Sequence, residues 1–286
     1  MSVQMDSEME TDDGRPGIRF WGVRGSVPVC GPHVTRFGGH TNCMEILGGT
    51  NRLIVDAGTG IMPFGAAFAA KPGDRLDIVL THLHHDHVAG LFFCAPLFVP
   101  GVSVNIHCGN LDGASAEAAL KTLFSPPLFP LTFEDLAATV RFHGFHAGAE
   151  MSLAGFAVAT IPLNHPGGAT GYRFARGGHA LAVLTDHEHT GDVRSPDPIL
   201  RDFCHGTSLI AYDATYDPAE YPAYRGWGHS TWEAGAALAR AAAVPALACI
   251  HHAPDHEDAK LAGMERDLKT VLPDGFFARE GTTFRL

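Results

Sequence analysis

The chain has 286 residues, of which 45% are hydrophobic and 18% are charged, a composition typical of a folded globular protein and not of a disordered one. Its formal net charge of -11 argues against binding to long nucleic acids, whose phosphates such a surface repels. No apolar run is long enough to span a bilayer, so no membrane partner is expected.

The N-terminal residues 1–16 are acidic and end in a Gly/Pro-containing segment. We expect a flexible tail there, followed by a single domain over residues 17–286. No signal-like apolar segment follows Met1, and the six cysteines include no close Cys-x-x-Cys pair. These features favour a cytoplasmic protein with reduced thiols.

Most of the predicted elements are strands, because the apolar runs of the sequence are short or alternate with polar residues. In chain order the predicted strands cover residues 18–21, 42–47, 52–55, 76–80, 102–108, 156–161, 170–174, 180–184, 208–212 and 246–250. Helices are predicted at 116–123 after a Ser115 cap, at 231–243 through an alanine-rich stretch, and at 258–270. Strands therefore dominate both halves, and an α/β fold of two packed sheets with outer helices fits best.

Two segments favour no regular element. The Gly/Pro-rich residues 22–39 predict a loop, and its glycines would allow the backbone of residues 24–42 to approach a functional site closely. The prolines in residues 124–133 exclude a regular helix or central strand. This second segment is either a hydrophobic lid over the site or a packed crossover loop.

Candidate metal ligands lie where the predicted strands end. The residues that follow such strands are Asp56, His82, His165, Asp186, Asp213 and His251. Loops held by the rigid end of a sheet are where functional sites are usually built. The run His82–His87 adds further imidazole and carboxylate groups, which suit zinc, with manganese and iron as alternatives. So many ligands in one short loop exceed the needs of one open catalytic ion, so two divalent ions are expected.

The 18 histidines of the chain cannot all be ligands. Within or beside the candidate site, His85, His187 and His189 are interpreted as spacers or as supports of the ligands. Seven histidines away from the candidate site are assigned a structural role: His33, His40, His107, His143, His146, His179 and His205.

The run Thr81-His82-Leu83-His84-His85-Asp86-His87-Val88-Ala89-Gly90 resembles the T-H-x-H-x-D-H-x-x-G signature of the metallo-β-lactamase superfamily. The resemblance covers nearly the whole chain after the tail and includes Asp56-Ala57-Gly58-Thr59-Gly60. It implies an αββα sandwich, two mixed sheets flanked by helices, with a two-metal site on its edge.

The same resemblance implies a role for each ligand. One ion would be held by His82, His84 and His165, the other by Asp86, His87 and His251, with Asp186 bridging them and Asp56 supporting the histidine loop. His252 competes with His251 for the last position, and we favour His251 because it comes first after its strand. The aspartate at 186 argues against antibiotic hydrolysis, since zinc β-lactamases have other residues there.

Two later segments resemble ribonuclease Z-like phosphodiesterases: Asp213-Ala214-Thr215 and Gly228-His229-Ser230-Thr231. In that branch the carboxylate orients the histidine, which protonates the leaving alkoxide or binds a phosphate oxygen. The chain has no long basic, Gly-rich arm of the kind that grips transfer RNA, so a compact substrate is expected.

The leading hypothesis is therefore a binuclear phosphodiesterase of a small or cyclic phosphodiester, with a homodimer left open as its assembly. A metal-bridging hydroxide would attack phosphorus, with Asp86, Asp213 and His229 as catalytic residues. The alternatives are a thioesterase or lactonase on the same metals, and a non-catalytic metal-binding or redox-sensing protein.

A further set of residues would either contact the substrate or pack the loop before His229: Tyr216, Tyr221, Tyr224, Arg225 and Trp227.

Overall fold

Two seven-stranded mixed sheets face each other across an apolar core in the computed structural model, which describes residues 15–286. The first sheet contains β1 (Gly17–Gly22), β2 (Cys43–Leu47), β3 (Arg52–Val55), β4 (Arg75–Leu80), β5 (Ser103–Cys108), β6 (Thr139–Gly144) and, from the end of the chain, β14 (Thr283–Arg285). The second contains β7 (Glu150–Leu153), β8 (Phe156–Leu163), β9 (Ala169–Arg176), β10 (His179–Leu184), β11 (Leu209–Asp213), β12 (Ala246–Ile250) and β13 (Gly275–Phe277).

Each sheet combines an antiparallel part with a parallel part. The first has the strand order β14-β1-β2-β3-β4-β5-β6 and is parallel from β3 to β6. The second has the order β13-β12-β11-β10-β9-β8-β7 and is parallel from β10 to β13. Parallel strands carry their carboxyl ends to the same edge of a sheet, so the residues that follow β3 and β4, or β10 to β12, become neighbours.

Helices cover the outer face of each sheet. They are α1 (Ile61–Phe68), α2 (His85–Val88), α3 (Glu117–Leu123), α4 (Pro198–Cys204), α5 (Trp232–Ala241) and α6 (Asp258–Val271). An apolar cluster that includes Ile61 and Leu120 packs α1 and α3 on the first sheet, and a second cluster packs α4 to α6 on the other. The predicted αββα sandwich is confirmed.

All ten predicted strands and all three predicted helices are present, with four additional strands and three additional helices among residues 15–286. The prediction that Ser115 caps α3 is wrong. The helix begins at Glu117, so Ala116 is at the cap position, and its side chain cannot accept a hydrogen bond. The predicted flexible tail, residues 1–16, lies outside the described residues except for Arg15 and Pro16. The carbonyl of Pro16 accepts a hydrogen bond from the amide of Leu286 at 3.0 Å.

The segment 124–133 contains no α-helix or strand, as its prolines predicted, and a short 3-10 helix begins at its last residue, Phe133. The Phe124 ring stacks on Phe92 with centroids 4.2 Å apart, and Phe129 and Phe133 pack edge-on against the same ring at 5.2 and 4.8 Å. These rings are therefore anchored in the core of the first sheet, as a packed crossover loop requires. Across residues 15–286 no helix has the length and apolar character needed to cross a bilayer.

Candidate metal centre

The strand-end residues meet at one edge of the sandwich. Asp56 follows β3, His82 follows β4 after one residue, Asp213 ends β11 and His251 follows β12. His165 and Asp186 come two residues after the ends of β8 and β10. The histidine run itself changes conformation midway: His84 is extended, and the chain then turns into the short helix α2.

Asp186 lies at the middle of this cluster. Its carboxylate oxygens are 3.1 Å from Nε2 of His87 and 3.2 Å from Nε2 of His251. They are also 3.8 Å from Nε2 of His82 and 3.7 Å from Nε2 of His165. Asp186 therefore faces both predicted ligand sets.

The two predicted ligand sets are each compact. Asp86 Oδ2 is 3.3 Å from Nε2 of His87 and 3.2 Å from Nε2 of His251. On the other side, Nε2 of His165 is 3.0 Å from Nδ1 of His84. His84 is exposed, whereas the side chains of the other members are buried, so the cluster is open to solvent on the side of His84.

The donor atoms are suited to divalent ions. The sets His82–His84–His165 and Asp86–His87–His251 each offer one ligand atom per residue, all within 4.8 Å of one another. Within the described part of the chain, Nε2 of His82 and of His87 are buried and have no hydrogen-bond partner. A buried imidazole nitrogen without a partner costs free energy, and a cation at the centre of the cluster would satisfy both.

The carboxylates favour positive charge at this position. Burial alone would raise the pKa of Asp86, but His87 and His251 hold it well below its ordinary value. Burial would likewise lower the pKa of His251, yet Asp186 and Asp86 raise it to about 9. The carboxylates are thus ionised in a buried site, which is the electrostatic setting that binds cations.

Asp56 supports the histidine run from behind. Its Oδ2 accepts a hydrogen bond from Nδ1 of His87 at 2.7 Å, and its Oδ1 accepts one from the amide of Thr81 at 2.7 Å. With Nδ1 engaged, His87 presents Nε2 to the cluster. The backbone amide of Ser26 plays a similar part for Asp86, since it donates to Oδ2 at 2.7 Å.

His229 and Asp213 form a second unit beside the cluster. Nδ1 of His229 donates to Oδ2 of Asp213 at 2.8 Å, and the His229 ring stacks on His251 with centroids 4.6 Å apart. The other Asp213 oxygen accepts from the Thr215 hydroxyl at 2.8 Å, and that hydroxyl lies 2.9 Å from Nδ1 of His251. Sequence reasoning did not assign Thr215 a role, because its partner is 36 residues away.

The backbone is strained where the site residues leave their strands. Asp56, Asp186 and His251 have φ values of 62°, 56° and 61°, in the left-handed region that non-glycine residues rarely adopt. Such strain persists only where the surrounding contacts enforce it, and it turns each of these side chains toward the cluster.

The remaining histidines lie outside the cluster. Nε2 of His252 donates a hydrogen bond to the Ala278 carbonyl at 2.9 Å, and the ring stacks on Phe277, so His252 faces the core rather than the ligands. His85 is exposed, and His187 and His189 bind Asn164 and Ser230. None of the seven histidines assigned a structural role falls in the candidate ligand sets found among residues 15–286.

A sequence model of the beta-lactamase superfamily domain matches residues 51–252, more than half of the chain. Among solved structures the fold is similar to that of YhfI from Bacillus subtilis, a metallo-beta-lactamase fold protein, with 14% identity, a TM-score of 0.68 and coverage of 95% of this chain and 100% of that one.

A diphosphatase of the PhnP family matches with 18% identity and a TM-score of 0.66, over 95% of this chain and 97% of the other. The short form of human tRNase Z matches with 17% identity and a TM-score of 0.61, over 94% and 98%. No curated protein sequence matches significantly. At these identities the structural likeness establishes the fold alone.

Proposed function

The chain belongs to the beta-lactamase superfamily, and from this premise we propose that it is a binuclear metal-dependent phosphodiesterase acting on a small or cyclic phosphodiester. Metal-dependent hydrolysis accords with the superfamily and with the buried cluster of histidines and aspartates. Phosphodiester chemistry rests on one observation, the His229–Asp213 pair at 2.8 Å next to that cluster.

We assign the ligands as the sequence predicted: His82, His84 and His165 for one ion, Asp86, His87 and His251 for the other, and Asp186 between them. Imidazole-rich sets with carboxylates suit zinc, and manganese and iron are the alternatives. When bound, two such ions supply a hydroxide nucleophile at neutral pH and offset the negative charge of the phosphate.

The protein's own groups would act on the leaving group. Hydrolysis of a phosphodiester breaks one P–O ester bond and expels an alkoxide, which needs a proton. Because Nδ1 of His229 is engaged by Asp213, Nε2 is the nitrogen that can deliver this proton. Burial would raise the pKa of Asp213, but His229 lowers it, so the carboxylate stays ionised and stabilises the protonated imidazole.

Two features support a compact substrate, and a third supports phosphate chemistry. The net charge of -11 disfavours long nucleic acids. The path from His165 to Asp186 is only the tight hairpin of β9 and β10, which offers no extended arm. Two structural neighbours are named as a diphosphatase and a tRNase, and both names are consistent with phosphate chemistry.

A substrate panel tests the proposal. The purified zinc-loaded protein is assayed with bis(p-nitrophenyl) phosphate and cyclic nucleotides, and in parallel with acyl thioesters and lactones. We expect phosphodiester turnover to exceed acyl turnover. The reverse ranking would replace the proposal with an acyl hydrolase on the same metals.

The leaving-group dependence tests His229 itself. We expect His229→Ala to lower the kcat for a cyclic nucleotide by about 10²–10⁴-fold, the usual contribution of a general acid. The loss on bis(p-nitrophenyl) phosphate should be much smaller, because nitrophenolate leaves without a proton. His143→Ala, which changes an exposed imidazole on β6, is the matched control. Equal losses on both substrates would mean that His229 is not the proton donor.

A further inference from the structure

The loop before His229 is held by one buried carboxylate. Glu188, which is only 9% exposed, accepts hydrogen bonds from the amide of Gly226 at 2.8 Å and the amide of Gly228 at 2.9 Å. It also accepts one from the hydroxyl of Tyr221 at 3.0 Å. Both glycines have positive φ, 86° and 87°, so the segment Gly226–Gly228 is a tight turn with Trp227 at its tip.

This turn directly contacts His165, one of the candidate ligands. The carbonyl of Gly228 accepts a hydrogen bond from Nδ1 of His165 at 2.8 Å. A Cβ atom at position 228 would lie 2.3 Å from that same nitrogen, so the backbone must pass this close to the ligand. Trp227 is therefore held one residue away from a group that orients His165.

The Trp227 ring is exposed although it is large and apolar. Its exposed fraction is 62%, and one side of it meets Tyr224 edge-to-face with centroids 5.6 Å apart. Tyr224 in turn stacks on Tyr216 at 4.4 Å, and Tyr216 lies edge-on to His229 at 6.0 Å. A chain of aromatic rings thus leads from the proposed proton donor, His229, to the solvent-exposed indole of Trp227. Contact with another aromatic ring would remove the apolar face of this indole from water, which is favourable.

A cavity of about 570 Å³ opens beside the same turn. Its lining includes His165, Pro166, Arg225, Gly226 and Gly228. Cavities of about 300–1,000 Å³ usually accommodate small organic ligands. Gly226 and Gly228, the chain neighbours of Trp227, line this cavity and the indole itself does not, so the cavity gives room for a substituent up to the turn that carries the ring.

We propose that Trp227 is a stacking platform for a flat aromatic group of the substrate, so that the preferred substrates are phosphodiesters bearing a nucleobase or an aryl ring. The inference rests on the proposed function, because the phosphate of that substrate would sit at the metal cluster. Stacking on an indole tolerates different bases, since every base offers a π-face.

Tryptophan fluorescence tests binding independently of turnover. The chain has three tryptophans, of which Trp21 is buried and Trp232 half-buried. We expect cyclic AMP to quench the emission of the wild-type protein and dimethyl phosphate, which lacks a ring, to leave it unchanged. Trp227→Ala should abolish the quenching. If cyclic AMP binds Trp227→Ala with wild-type affinity, the inference is overturned.

Kinetics provide the second readout. We expect Trp227→Ala to raise KM for bis(p-nitrophenyl) phosphate and cyclic AMP roughly tenfold or more, as removal of one aromatic stack does, with kcat little changed. Trp227→Phe should restore most of the affinity, and KM for dimethyl phosphate should not move. The control is Ile199→Ala, which removes a similarly exposed apolar side chain on α4, 68% exposed.

The two proposals fail separately. Phosphodiester turnover that is indifferent to Trp227→Ala would overturn the stacking platform and leave the proposed function intact. Quenching of Trp227 by cyclic AMP without hydrolysis of any phosphodiester would support the platform and overturn the proposed function.

Discussion

Thr215 links the proposed ligand His251 to the pair that contains His229. Its hydroxyl donates to Asp213 Oδ1 at 2.8 Å and can then accept from Nδ1–H of His251 at 2.9 Å. A hydroxyl supplies one proton and accepts others, so both bonds can form together. This arrangement leaves Nε2 of His251 facing the cluster, 3.2 Å from Asp86 Oδ2.

We therefore expect Thr215→Val to weaken zinc binding by about 10–100-fold, the usual effect of removing a partner that orients a ligand. Thr215→Ser keeps the hydroxyl and should bind zinc like the wild type. Competition with a chromophoric chelator measures both affinities. Wild-type affinity in Thr215→Val would show that His251 does not depend on this contact.

Single residues differed in how well the sequence predicted them. Of the seven candidate ligands, four are metal-binding side chains at strand ends and three more lie in the run His82–His87, and the structure brings all seven together. Ser26 acts through its backbone amide, and Gly25 allows close approach: a Cβ there would lie 2.2 Å from the His251 ring. Such contributions carry no signal in the residue type, and they depend on contacts made only in the folded chain.

At the scale of elements, the strands that could be predicted from the sequence are those that bury apolar side chains. The ten predicted strands have apolar residues packed on at least one face. The strands β6, β7, β13 and β14 lie at the sheet edges. Strand β6 is largely exposed and the other three have only three or four residues, so their apolar pattern is weak. Helix α4 was not predicted, although Asp197 caps it and Pro198 lies in its first turn, both of which are sequence signals of a helix start.

Helix α6 offers a test of element stability. Gly263 lies inside this helix, and an added Cβ would meet only Nη2 of Arg266 at 3.7 Å. We expect Gly263→Ala to raise the free energy of unfolding by about 0.5–1 kcal/mol, because alanine loses less backbone entropy in a helix. Denaturant unfolding measures the change, and a decrease in stability would indicate that the helix cannot accept the methyl group.

For the whole molecule, the stability should depend on Glu280, which joins the end of the chain to the loop after β1. Its carboxylate accepts a hydrogen bond from the amide of His40. Burial raises the pKa of Glu280 from 4.5 to about 7, against the opposing effect of that amide and of Arg24. Between these two pH values the folded chain binds a proton that the unfolded chain releases. This contribution to stability is therefore complete below pH 4.5 and is lost as the pH rises through 7.

Glu280→Gln should remove this pH dependence. Since each pKa unit corresponds to about 1.4 kcal/mol, the wild type should lose up to about 3 kcal/mol relative to the variant between those pH values. Unfolding curves across that range measure the difference. Parallel pH profiles for the two proteins would show that Glu280 titrates normally in the folded chain.

Metal binding at the ligand cluster should affect the stability of the whole molecule. The loop after β4 of the first sheet contributes His82 and Asp86, and the ends of β10 and β12 in the second sheet contribute Asp186 and His251, so bound ions would cross-link the two halves of the sandwich. They would also neutralise carboxylates that are buried close together. A ligand at 100 times its Kd stabilises the folded state by about 2.7 kcal/mol. Chelation should therefore lower Tm by about 5–10 °C, and added zinc should restore it.

Two variants make this measurement specific. Asp186→Asn removes the carboxylate that faces both ligand sets, so the chelator should shift its Tm much less than that of the wild type. His143→Ala, on the exposed edge strand β6, should respond to the chelator as the wild type does. If the chelator leaves the wild-type Tm unchanged, the cluster does not hold metal in the folded protein, and the hydrolytic function proposed for it must be abandoned.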